Sequence, residues 1–143
     1  MTDLWKADYL LTALPSSPSP GGTQDIVSVW LAGRPGAGMA MVYRSAGFQA
    51  FPDAGYSTLS YQALDPFGTP VGTPVPFASA GYIYMSTSGA SVGGAAIATA
   101  YNGTVAIAFE RDSWVLTRPA GQTVREDDSE VLLQIFGADG QAV

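Results

Sequence analysis

The sequence predicts an all-β chain made of two related antiparallel β-meanders, propeller-blade-like in pattern, with a β-sandwich as the alternative arrangement. Three observations predict it. Leu59 to Val71 returns as Val131 to Val143, with Gln62 matching Gln134, Gly68 matching Gly140 and Val71 matching Val143. Gly38 to Tyr43 returns as Gly103 to Phe109, at a shorter offset, so the second copy holds extra residues in between. Short runs of alternating apolar and polar residues, bounded by Gly, Pro, Asn and Asp, fill most of the rest, as expected of strands and turns. An internal repeat of this length implies units that stack or array radially around a shared core. The expected organisation is an N-terminal arm and linker at 1–22, then a two-repeat domain at 23–143 with units at about 25–77 and 92–143.

The arm comes first. Trp5, Ala7, Tyr9 and Leu11 alternate with Lys6, Asp8 and Leu10, while Leu4, Ala7, Leu11 and Leu14 also fit a helical spacing; so short a stretch supports either strand or helix. Pro15 to Gly22 is a Pro/Ser/Gly tether, stiff at one end and free at the other. An apolar arm on such a tether suits docking on another subunit, with Trp5, Tyr9 and Leu11 as its candidate contacts. Ile26 to Leu31 and Met39 to Arg44 read as strands around the turn Gly33 to Gly38. Residues 45–56 read as a longer loop and Ser57 to Leu64 as a strand. Asp65-Pro66-Phe67-Gly68 is a β-turn, because proline presets the φ needed there. Thr69 to Phe77 contains Pro70, Pro74 and Pro76, which fits an edge strand because each proline removes a ladder donor. Asn102-Gly103 between two alternating runs is a strong hairpin signal. Arg111 to Glu130 reads as a long acidic loop, followed by a strand at Val131 to Phe136 and a turn at Ala138 to Gly140.

Composition limits the chemistry. The chain has 143 residues, enough for one domain, and 47% are apolar, enough for a core. Charged residues make up 13%, about half the usual share, which suits a surface covered by partners or a Ser/Thr/Gly-rich β surface. The net charge is −6, and the six Lys and Arg are scattered; nucleic acid is an unsuitable partner. No apolar run is long enough to span a membrane, and no secretory leader is legible at the N-terminus. There is no Cys and no His. Disulfides, thiolate nucleophiles, Ser/His/Asp triads and most zinc sites are thereby excluded.

The sequence of turn, glycine, apolar strand, loop and strand with Gln and an aromatic resembles the β-propeller-like repeats of large bacterial surface proteins of the haemolysin-type calcium-binding group. The residues that carry the resemblance are Asn102 to Phe109 followed by Leu133 to Val143, and their first-unit counterparts. The resemblance implies a blade-like scaffold or adhesion surface without catalytic residues. Only two units are present, and the Gly-Gly-x-Gly-x-Asp calcium nonapeptide is absent. Calcium binding therefore does not carry over, and a propeller of four or more blades requires further copies.

Two clusters stand out as candidate sites. Glu110, Arg111 and Asp112 with Trp114 form a candidate sugar or interface site, in which the indole stacks on a pyranose and the charged groups hold hydroxyls; packing of Trp114 on a sheet edge is the plainer alternative. Glu126, Asp127, Asp128 and Glu130 lack the spacing and glycine of a calcium loop and read as a solvated run balanced by Arg118 and Arg125. Glu110 with Asp112, or Asp127 with Asp128, offers two carboxyl groups as a glycosidase couple would, but carboxylates adjacent in sequence carry almost no specificity for that chemistry. No catalytic, metal-binding or cofactor-binding residue is expected. The expectation is a non-enzymatic structural protein of a larger symmetric assembly, most concretely a phage virion decoration or tail component, located in the virion or the cytoplasm of the producing cell. It would be an obligate homo-oligomer bound to other assembly proteins, because the second unit, as read from Val143, lacks a fourth strand. A carbohydrate-binding, lectin-like module is the alternative.

Overall fold

The computed structural model describes residues 22–50, 53–83 and 86–143, with side chains described over 26–48, 54–83 and 86–143. Trp5, Tyr9 and Leu11, and the choice between strand and helix for residues 4–14, lie outside the described residues. The chain is all-β. Among the described residues the strands are β1 (Gly22–Arg34), β2 (Gly38–Ala50), β3 (Asp53–Leu64), β4 (Pro70–Ile83), β5 (Ser88–Thr99), β6 (Val105–Thr117) and β7 (Val124–Phe136). All seven form one antiparallel sheet in chain order, a meander that is not closed. Among the described residues no helix is long and apolar enough to cross a membrane.

Two segments read as loops are strand instead. Residues 45–50 and 53–56 are strand, because β2 and β3 remain paired from Met39↔Leu64 to Ala50↔Asp53. Ser45, Ala46, Gly47, Gly55 and Ser57 are poor strand formers, but a ladder already fixed by Val42 and Tyr61 continues through them, since β-propensity is mostly a matter of context. The acidic stretch likewise pairs along its length, from Arg111↔Glu130 to Thr117↔Val124. Only residues 118–123 are left as connection, containing a single 3-10 turn at Pro119–Gly121. Glu126, Asp127, Asp128 and Glu130 are exposed on an edge strand, where charge keeps a free edge in water.

The prolines of β4 fall where the ladder tolerates them. Pro70 opens the strand opposite Leu64, and the register with β3 shifts twice, at the inserted residues around Pro74 and at Phe77. On its other side β4 meets β5 at only one register pair, Tyr82↔Gly89. With no partner along most of that side among the described residues, the missing proline N–H groups cost little.

That single pair divides the sheet into a four-stranded meander, β1–β4, and a three-stranded one, β5–β7. From the β4–β5 hairpin the sheet winds so that the second meander lies over the first. The core contains Ala40, Val42, Leu59 and Tyr61 from β2 and β3, and Val92, Val105, Ile107, Phe109 and Phe136 from β5–β7. Following the register through Gly55↔Tyr82, Tyr82↔Gly89 and Gly89↔Trp114 fixes which sides these are. Val42 and Tyr61 share a face, here face A, with Tyr82 and Trp114, whereas Ile107 and Phe109 lie on the opposite face B. The two meanders therefore stack face A to face B, not like to like. Tyr61 stacks on Phe136 with ring centroids 4.4 Å apart, and Phe77 meets the edges of Phe109 and Phe136 at 5.5 and 5.6 Å. Polar ties fix the stack: the Val92 N–H donates to Ser57 Oγ at 2.9 Å, and the Arg34 guanidinium donates to the Ala138 carbonyl at 2.8 Å.

Matching residues of the two meanders occupy matching places. Met41↔Gln62 and Ile107↔Gln134 are equivalent register pairs. Each glutamine donates its amide to the carbonyl of the next residue, Gln62 to Ala63 and Gln134 to Ile135. The turns that follow close in the same way, with Gly68 donating to Asp65 and Gly140 to Gly137, both glycines at positive φ. On face B of the first meander Met41, Tyr43 and Leu64 form a second buried apolar cluster.

Candidate functional site on face A

At the end of the sheet where β4 turns into β5, the meanders lie side by side and face A is open across both. One register row crosses it: Phe48↔Gly55, Gly55↔Tyr82, Tyr82↔Gly89 and Gly89↔Trp114. Aromatic residues stand on β2, β4 and β6, and glycines on β3 and β5 between them. The glycines are required by close approach. A Cβ on Gly55 would lie 2.5 Å from Tyr82 Cε1, and one on Gly89 would lie 2.6 Å from Tyr82 Cβ and 2.8 Å from Trp114 Cζ2. Tyr82 thus lies across Gly55 and the indole across Gly89, covering backbone that has no side chain of its own. Phe48 is 47% exposed and Tyr82 42%, and Trp114 is half-buried.

Beyond Trp114 the row continues to Asp127 on β7. Arg125 donates to Asp127 Oδ1 at 2.7 Å, and its guanidinium carbon lies 5.5 Å from the indole centroid, a cation–π contact. A cleft of about 400 Å³ opens here, lined by Tyr82, Ser91, Asp112, Trp114, Arg125 and Asp127 among others. Glu110 lies on the same face and accepts a hydrogen bond from Ser129 Oγ at 3.2 Å.

Of the four residues singled out in the sequence, face A brings together Glu110, Asp112 and Trp114. Strand alternation puts Arg111 on face B, where it pairs with Glu130 at 3.3 Å. Its place by the indole is taken by Arg125, which arrives from β7 through the Trp114↔Asp127 register. Phe48, Tyr82 and Arg125 were missed in the sequence because they reach the site only through strand pairing. The available signal was Gly55 and Gly89 inside strands, since a strand glycine often marks a close approach. Among the described residues no three His, Cys, Asp or Glu side chains converge as a metal site would need.

The other end of face A is different. Ala96, Ala98, Ala106 and Ala108 form a flat apolar floor on β5 and β6, paired as Ala96↔Ala108 and Ala98↔Ala106. Beside them β7 carries Val131, 77% exposed, Leu133, 65% exposed, and Ile135. Along Val124 to Gln134 the outer side of β7 has no strand partner among the described residues, and the only closure is the bridge Phe136↔Ala142. Comparison with family models, with curated proteins and with solved structures finds no match to this chain.

Proposed function

We propose that this chain is a non-enzymatic structural protein that associates with copies of itself into a symmetric assembly, most concretely as a decoration or tail component of a phage virion. The observation that carries the reading is the bare apolar end of face A on the second meander. In the first meander the equivalent surface, around Val42, Leu59 and Tyr61, is fully buried beneath β5–β7. In the second, Val131, Leu133 and Ile135 stand beside an alanine floor on β7, whose outer side has no strand partner along Val124 to Gln134 among the described residues. An apolar patch next to open ladder groups is a surface that proteins cover. A further copy of the chain is the occupant that suits it, because within one chain this same face already takes a β-sheet. The low charge content, 13%, suits a subunit whose surface is shared with neighbours, and the lack of His and Cys suits a role without catalysis.

Light scattering coupled to size exclusion tests this. The parent protein is expected to run as a defined oligomer at micromolar concentration, and the Leu133→Lys/Ile135→Lys variant as a monomer with an unchanged circular-dichroism spectrum. A monodisperse monomer for the parent protein overturns the reading. Co-sedimentation with purified particles from the producing cell tests its virion form.

A further inference from the structure

We propose that the aromatic row on face A binds a neutral, extended β-linked hexose oligosaccharide, which lies across the strands from Phe48 over Tyr82 to Trp114. This goes beyond the assembly reading and does not depend on it. The row and the apolar patch lie at opposite ends of the face: Trp114 and Ala108 are on one strand, and the intervening residues span roughly 20 Å at the usual strand rise.

Three features of the row specify the ligand. The first is spacing. The aromatics stand on alternate strands, which places them roughly 9.5 Å apart at ordinary strand separation. An extended β-1,4-linked hexose chain is a flat ribbon whose repeat is two sugars, so a ring at this interval meets every second sugar. The second is ring posture. Tyr82 and Trp114 lie across Gly55 and Gly89, which turns aromatic surface outward where the apolar face of a pyranose can stack on it. The third is the polar rim. Asp112, Asp127, Ser91 and Ser129 line the cleft beside the indole and offer acceptors and hydroxyls to sugar O–H groups along the edge of the ribbon. Asp112 and Asp127 outnumber Arg125 in that cleft, and Arg125 is already paired with Asp127. A uronic or sialic acid would meet uncompensated carboxylates, so the ligand is neutral. Arg125 is exposed and swings off the indole as the sugar arrives.

The test uses the full chain and a panel of cellohexaose, N-acetylchitohexaose and β-1,4-mannohexaose, with β-1,4-linked hexamannuronate as an anionic probe, read by calorimetry and tryptophan fluorescence. At least one neutral hexaose is expected to bind, and hexamannuronate not to. Trp114→Ala and Tyr82→Ala should each weaken binding at least tenfold. Phe48→Ala should weaken the hexaose but not the disaccharide, because the short ligand does not reach β2. No binding of any neutral hexaose at millimolar concentration overturns the proposal. So does an unchanged affinity in Trp114→Ala or, if that variant fails to fold, in Tyr82→Ala. An oligomeric parent protein that binds no hexaose would refute this inference and leave the assembly reading standing.

Discussion

Tyr61 combines a ring stacked on Phe136 with a buried hydroxyl that has no hydrogen-bond partner. A buried polar atom left unmade costs free energy that an apolar group of the same shape does not. Tyr61→Phe is therefore expected to raise stability by about 1 kcal/mol, measured by urea unfolding. Tyr61 and Tyr43 share a pH response. Burial is the leading cause at both and pushes each phenol above its ordinary value of 10.0; the Arg34 charge opposes it at Tyr61, and the Ser60 hydrogen bond at Tyr43. A raised folded-state pKa means that the unfolded chain gives up the proton first. The stabilising contribution is complete below pH 10 and is lost as pH climbs through the raised values. Melts between pH 8 and 12 should show stability flat and then falling, and the fall should be shallower in Tyr61→Phe. Phe136 is fully buried against Tyr61 and Phe77; Phe136→Ala should lose about 3–5 kcal/mol in the same urea assay.

Among the elements, β5 decides whether the second meander lies on the first. It shares one register pair with β4 and is fixed to β3 by the Val92 N–H to Ser57 Oγ bond. Ser57→Ala leaves that buried N–H without an acceptor and is expected to cost about 1–3 kcal/mol; hydrogen exchange should show the largest protection loss at Val92. The prolines of Thr69 to Phe77 pointed to an edge strand; β4 is instead the fourth strand of the sheet, and it tolerates them because it meets β5 at the single register pair Tyr82↔Gly89. The acidic run of β7 was misread as loop because charge says only that side chains reach water. An exposed edge strand meets that condition as well as a loop does, and pairing with Trp114, Val115 and Leu116 decided between them.

At the scale of the whole molecule, the winding of the sheet buries face A of the first meander around Val42, Leu59 and Tyr61, away from the β4–β5 hairpin, and leaves face A of β5–β7 open. Self-association through that open face should stabilise the fold by mass action. The melting temperature is then expected to rise with protein concentration in the parent protein and to be independent of it in Leu133→Lys/Ile135→Lys. A concentration-independent parent melt would count against assembly through this face. The aromatic row depends on the same winding, since it exists only where the hairpin holds the two meanders level.

The sequence by itself determined the all-β class, the Asp65–Gly68 and Asn102–Gly103 turns and the alternating cores of β2 and β6, because each rests on local rules: fixed φ at proline, free φ at glycine, and a side-chain period of two. It also named Glu110, Asp112 and Trp114, but only by their closeness in the chain, mostly within a segment read as a loop and with Arg111 among them; alternation along β6 is what puts the three on one face. Only the tertiary structure decided that Arg111 leaves that site and Arg125 enters it, that Phe48 and Tyr82 align with Trp114, and that face A packs on face B. Those outcomes depend on strand register and on how a sheet coils over itself. They are set by pairing between residues far apart in the chain, and no local propensity encodes them.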